Sequence, residues 1–139
     1  MYAAHISNIM GLPINKLYVA TNSNDIMHRT ITSGDMSLKK VKSTLSPSMD
    51  IQISSNFERQ LFESLNYNSK ELKELMKLFR ENNKYNLKGK IHDDLRNYYR
   101  SKGVNDNLTT KTIIEYFEQY KYISDPHTAT SLNILNDLN

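Results

Sequence analysis

The spacing of apolar positions follows a helical period along most of the chain. Ala3, Ile6 and Met10 share one face of a short helix over 2–10, and Gly11 and Pro13 supply its stop. Leu17, Tyr18, Val19 and Ala20 form an apolar run that predicts a buried strand over 17–21, and the small polar series Thr21, Asn22, Ser23, Asn24 and Asp25 follows at once. A second helix is expected over 24–33, capped at Ser23 or Asn24, with Ile26, Met27 and Ile31 apolar and Gly34 ending it. Residues 35–53 show no period, and Pro47 argues against a central strand.

Ser55-Asn56-Phe57-Glu58 has the form of a capping box, opening a helix whose stripe is Phe57, Leu61, Phe62 and Leu65. Asn68 opens the next, where Leu72, Leu75, Met76 and Phe79 fall on one face. Ile91, Leu95, Tyr98 and Tyr99 mark another helix, with Gly103 as its stop. Thr109 or Thr110 can cap a further one carrying Ile113, Ile114, Phe117 and Tyr120. The last begins at Asp125-Pro126, a strong N-cap followed by a proline where the first helical turn favours one, with Leu132, Leu135 and Leu138 along it. Six or seven helices thus stand against one strand. A single strand cannot make a sheet, so its neighbours lie either in the irregular stretches or outside this chain.

Length and composition narrow this picture. The 139 residues allow one domain at most. Apolar residues make up 38%, or about 41% with glycine, against roughly 45–50% in ordinary globular domains, which suggests a thin core. The net charge of +3 comes from lysines spread through the sequence, the pattern of a solvated surface rather than of a nucleic-acid groove. The absence of cysteine excludes disulfides and thiolate metal sites and fits a cytoplasmic protein. No apolar stretch is long enough to span a bilayer, and the N-terminus has no secretory pattern.

Candidate chemistry adds little by itself. The histidines at 5, 28, 92 and 127 do not cluster, and His92 with Asp93 and Asp94 reads as the polar first turn of a helix. The four glycines stand apart, so no phosphate cradle is present. Arg96, Tyr98, Tyr99, Arg100 and Lys102 could stack on and neutralise a nucleic acid, or form a helix with tyrosines inside and arginines outside. A small basic helical module that binds nucleic acid or protein therefore remains an alternative.

Three stretches change the reading. "MGLPINKLYVATNSNDIMHR", "TLSPSMDIQISSNFERQLF" and "SDPHTA" resemble threonine synthase, in that family's order and at similar separations. The resemblance implies a pyridoxal-phosphate enzyme of the tryptophan-synthase β-like fold, which converts O-phosphohomoserine to threonine and phosphate. It implies an α/β architecture, with this chain as a helix-dominated, single partial domain (1–139) from the interior of a three-layer cofactor domain. The family's Schiff-base lysine, in a Ser-Phe-Lys-Asp context, and its Gly-Asn-Phe-Gly phosphate loop are not in this sequence. On this reading the chain is inactive alone and does not bind the cofactor tightly. The missing sheet neighbours belong to complementary segments, and an exposed edge invites self-association.

The resemblance also implies site residues. Asn22, Asn24 and Asp25 would lie at the carboxyl end of a sheet strand, where open α/β sheets gather ligands. Asp125 and His127 would begin a helix close to the cofactor, although Asp125 also reads as a plain N-cap. Arg59 would either face the substrate phosphate or occupy a solvated helix position. Thr30 and Met36 stand where the family has aromatics, and Ser131 where it has glycine.

Overall fold

The computed structural model describes residues 2–136. Seven α-helices surround a two-stranded parallel sheet: α1 (Tyr2–Ile9), β1 (Leu17–Thr21), α2 (Ile26–Ser33), α3 (Ser55–Ser64), α4 (Ser69–Asn82), α5 (Lys90–Tyr98), β2 (Tyr99–Gly103), α6 (Asp106–Tyr120) and α7 (Pro126–Leu135), with a 3₁₀ turn at Pro47–Met49. The second strand is the main departure from expectation. The helix predicted to run on to Gly103 ends at Tyr98, and Tyr99–Gly103 pairs with β1, Leu17 opposite Tyr99 and Thr21 opposite Gly103. β1 thus has one neighbour among the described residues.

The core gathers where α2, α3, α4 and α5 meet the sheet. Ile31, Met36, Phe57, Leu61, Leu75, Met76, Phe79, Leu87, Leu95 and Tyr99 form one buried cluster, with Leu17 and Val19 packed against it. α4 follows its sequence pattern closely: Leu75, Met76 and Phe79 are buried, and the Asn68 side chain accepts from the Glu71 amide as N-cap. Thr30 lies on α2 and Met36 just beyond its end. Both are buried, the Thr30 hydroxyl donating to the Ile26 carbonyl at 2.8 Å. Ser131 is exposed.

Gly34 ends α2 in the left-handed region, at φ +79°, and a Cβ there would lie 2.3 Å from the Leu87 carbonyl oxygen. Only glycine permits that approach, which lets the Leu87 amide donate to the Gly34 carbonyl at 2.9 Å.

Other local expectations are corrected. The capping box does not form: Ser55 is the first residue of α3, Ser54 takes the cap position, and its side chain makes no capping bond. α6 starts earlier than Thr109, behind Asn105, whose side chain accepts from the Leu108 amide. α6 and α7 pack together and bury Thr109, Thr112, Ala129, Thr130, Asn133 and Ile134, while Ile114, Phe117, Tyr120 and Leu135 face outward. Leu138 lies outside the described residues. α1 buries His5 rather than Ala3, Ile6 and Met10; His5 meets the Glu63 carboxylate of α3 through Nε2, and Asn8 accepts from the Tyr98 hydroxyl.

Candidate functional site

The carboxyl ends of β1 and β2 open onto one rim, and the segment 42–50 lies across it. Asn22, immediately after β1, is 1% exposed. Its Nδ2 donates to Thr44 Oγ1 at 2.8 Å, Ser46 Oγ at 3.0 Å and Asp50 Oδ1 at 2.7 Å, while its Oδ1 accepts from the Asn24 amide at 2.8 Å. Asn24, also buried, donates to the Lys42 carbonyl and to Asp50 Oδ1, both at 2.9 Å, and accepts from the Lys42 amide. The Thr44 amide and hydroxyl both donate to Asp50. Burial pushes the Asp50 carboxyl up, but hydrogen bonds from Thr44, Asn22 and Asn24 outweigh it and hold the group below the usual carboxylate range.

Thr44, Ser46 and Asp50 escaped the sequence reading. Their stretch has no period. The one available signal was a dense run of hydroxyl residues ending in an aspartate.

Asp25 points elsewhere. Its Oδ1 accepts from Arg29 Nε at 2.8 Å and lies 3.6 Å from Lys39 Nζ; Arg29 also pairs with Asp35 at 2.5 Å and donates to the Ser37 carbonyl. Burial would raise the Asp25 carboxyl, and the bonded Arg29 reverses the sign. Asp25 also occupies the cap position of α2 expected for Ser23 or Asn24, without a side-chain capping bond.

Asp125 caps α7, accepting from the amides of His127 and Thr128 and from the Thr128 hydroxyl. Those bonds, Thr128 first, hold its carboxyl at about 2. His127 faces Asp125 Oδ1 with Nδ1 at 3.3 Å and accepts from the Ser48 amide with Nε2 at 3.3 Å. Ser48 belongs to the turn between Ser46 and Asp50, so one segment joins Asn22 and Asn24 to the start of α7. Arg59 is not part of this rim: it is exposed on α3 and donates to Asn56.

Ser23, Lys42, Ser43, Thr44, Asn105, Asp106 and Asn107 line a cleft of about 240 Å³ at the rim. That is below the roughly 300–1,000 Å³ of small-molecule pockets. A larger trough of about 730 Å³, bordered by Ile31, Arg96, Tyr99 and Arg100, opens at the amino half of β2, the end away from which α/β sheets gather ligands.

A pyridoxal-phosphate site requires a lysine withdrawn from solvent so that its amine is free to form the imine. The thirteen lysines do not meet that demand: Lys16 and Lys102 are half-buried, Lys16 donating to the Asn97 carbonyl, and the rest are exposed. None of the thirteen is the buried lysine that a resident imine would need. Nor does the basic tyrosine-rich stretch form a stacking platform. Tyr99 is buried and donates to Gln60 Oε1 at 2.7 Å, and Tyr98 turns inward to Asn8. Among the described residues no helix is long and apolar enough to cross a membrane, and no cluster of metal-ligating side chains exists.

No protein-family model matches the chain. Over 129 residues it is 38% identical to threonine synthase of Pseudomonas aeruginosa, covering 93% of this chain and 28% of that protein. It is also 38% identical over 132 residues to human threonine synthase-like 2, of which it covers 27%. Its fold superposes on pyridoxal-phosphate-bound threonine synthase from Brucella melitensis with a TM-score of 0.95 at 35% identity, covering 98% of this chain and 29% of that one. The yeast threonine synthase structure gives a TM-score of 0.92 at 34% identity, with 99% and 30% covered. Along nearly its whole length, then, the chain is homologous to a part of the threonine synthases, spanning under a third of the length of the relatives it matches.

Proposed function

We propose that this chain is a partial domain from the cofactor-binding region of a cytoplasmic threonine synthase, and that in the complete enzyme it serves the conversion of O-phosphohomoserine to threonine and phosphate. The observation that carries the reading is the fold: near-complete superposition on a cofactor-bound threonine synthase, at 35% identity, of a piece spanning 29% of it. The polar rim at the carboxyl ends of two parallel strands is in keeping with this, because open α/β sheets receive ligands there.

The role of each residue follows from its bonds. Asn22 and Asn24 are engaged on nearly every polar atom, so they fix the 42–50 segment rather than reach for a ligand. Asp125 and His127 anchor the start of α7 to the same segment. The Schiff-base lysine and the phosphate cradle come from complementary segments of the enzyme, and the chain has no activity without them.

The test is a chimera in which this chain replaces the matched stretch of the Pseudomonas aeruginosa enzyme. Phosphate release from O-phosphohomoserine and growth of a threonine auxotroph are expected. A folded chimera that binds pyridoxal phosphate but releases no phosphate would overturn the reading.

A further inference from the structure

We infer that His127 is a positioning residue that works in one protonation state: as the neutral imidazole it caps the turn at Pro47–Met49 from the start of α7, and on protonation it lets that turn go. The latch follows from hydrogen-bond chemistry within this chain. What it governs, the shape of the rim, rests on the functional reading above.

The turn needs an acceptor from outside. The first amides of a helical turn have no partner within it. Pro47 has no N–H, so Ser48 carries the first of them. Ser46 stands in the cap position but makes no side-chain capping bond, and its hydroxyl is engaged by Asn22. The Ser48 amide donates instead to His127 Nε2 at 3.3 Å. Among the described residues this is the one hydrogen bond between the 42–50 segment and α7.

That bond fixes the state of the ring. Nε2 accepts only while it carries no proton, so the imidazole is neutral and its proton sits on Nδ1, which faces Asp125 Oδ1 at 3.3 Å. The imidazolium has two donors and no acceptor, so its Nε2–H would meet the Ser48 N–H and the bond must break. Protonation thus trades the bond to the segment for a charge pair at the start of α7. Asp125 stays ionised through this change, its carboxyl held at about 2 by the bonds from Thr128. Histidine is the side chain whose charge changes in the neutral to mildly acid range, where an asparagine or aspartate cap would hold the turn at every pH.

The surrounding charges leave the ring to this choice. β1 and α6 pack against α7. β1 has no charged residue, and Tyr18 is its one titratable group. α6 brings Asp106, which accepts from the Leu45 amide, and farther along Lys111 paired with Glu115, then Glu118. The segment itself brings Lys42 and Asp50, whose oxygens are taken by Asn22, Asn24 and Thr44. Among the described residues, Asp125 is the one group that forms an ion pair with the ring. The segment keeps its bonds to Asn22, Asn24 and Asp106 when His127 lets go, so release is confined to the turn and the start of α7.

Nuclear magnetic resonance of the chain between about pH 8 and 5 reads the latch directly. At the upper end the His127 ring should show a bare Nε2 and a protonated Nδ1. As pH falls, the Ser48 amide shift should follow the titration curve of the His127 ring proton. Ser48 exchange should become about tenfold faster relative to Leu45, whose amide Asp106 holds. A proton on Nε2 at the upper end, or Ser48 signals that do not move with the ring, would overturn the inference. His127→Gln places a carbonyl acceptor on a side chain of similar reach that does not titrate. Ser48 should then stay protected across the range, and a Ser48 titration that survives in this variant counts against the latch. His127→Ala should leave Ser48 exchanging fast at every pH, and retained protection also counts against it. None of these readings uses activity, so a failed latch and a failed functional reading remain distinct.

Discussion

Replacing Asn22 tests whether the rim is held together by its own hydrogen bonds. Asn22→Ala deletes the acceptor of the Asn24 amide, which has no other partner among the described residues and sits on a residue 3% exposed. It also deletes a 2.7 Å donor to the Asp50 carboxylate. A buried amide left unpaired costs about 1–3 kcal/mol, and a hydrogen bond to a charged group contributes about 1.5–3 kcal/mol. Asp50 keeps its bonds from Thr44 and Asn24, so the two losses overlap and the net destabilisation is about 2–4 kcal/mol. With a urea dependence of about 2 kcal/mol/M, the unfolding midpoint falls by about 1–2 M. Asn22→Asp sharpens the test by setting a second carboxylate against Asp50. Two carboxylates in contact cannot both ionise easily, so one pKa in the folded variant is raised. A carboxyl whose folded pKa is raised contributes stability below its unfolded value and loses it as pH rises through the folded one. The penalty of Asn22→Asp relative to the parent should therefore be large at pH 7 and shrink toward about pH 4. Urea titrations followed by circular dichroism at both pH values decide the matter. A midpoint shift under about 0.3 M for Asn22→Ala, or a penalty for Asn22→Asp that does not vary with pH, would refute the reasoning.

Two further outcomes follow from charges and lysines. Burial works against the ionised form of Asp35, but hydrogen bonds from Ser37 and the Arg29 guanidinium hold its carboxyl at about 2 against an ordinary 3.8, so its contribution to stability is present above about pH 4 and is lost as pH falls toward 2. The melting temperature of Asp35→Asn should accordingly lie below that of the parent at pH 6 and converge with it between pH 4 and 2; a constant gap would contradict this. Incubation of the isolated chain with pyridoxal phosphate and borohydride should label several exposed lysines weakly, and stoichiometric labelling of one lysine, read by peptide mass spectrometry, would contradict the assignment of cofactor attachment to other segments.

The elements legible in the sequence were those whose period and caps agree. α4 is the clearest, because its apolar stripe, its Asn68 cap and its burial coincide. β2 was hidden because Tyr99 continues the helical spacing of Ile91, Leu95 and Tyr98, and because an edge strand reading Arg-Ser-Lys-Gly offers no alternation. The faces of α6 and α7 were inverted for a different reason. The residues that the two helices bury are mostly small or polar, Thr109, Thr112, Ala129, Thr130 and Asn133, with Asn133 donating to Thr112 at 2.8 Å. The larger apolar residues Ile114, Phe117 and Tyr120 are turned out, where a local reading that assumes one core cannot place them.

Within the candidate site the resemblance and the geometry answer different questions. Resemblance brought Asn22, Asn24, Asp25, Asp125 and His127 to notice as neighbours of a cofactor. Asn22, Asn24 and His127 do converge on the 42–50 segment and Asp125 holds His127, while Asp25 faces Arg29 and Lys39 and Arg59 stands apart. Convergence does not make them ligands. A side chain that binds substrate or cofactor must keep a donor or acceptor in reserve, and Asn22 spends its own on Thr44, Ser46, Asp50 and Asn24. What this arrangement supplies is rigidity: a strand end, a polar segment and a helix start tied to one carboxylate, Asp50, and its neighbours. A rim built this way can hold its shape before any ligand arrives, and preorganisation of that kind reduces the ordering a site must undergo on binding.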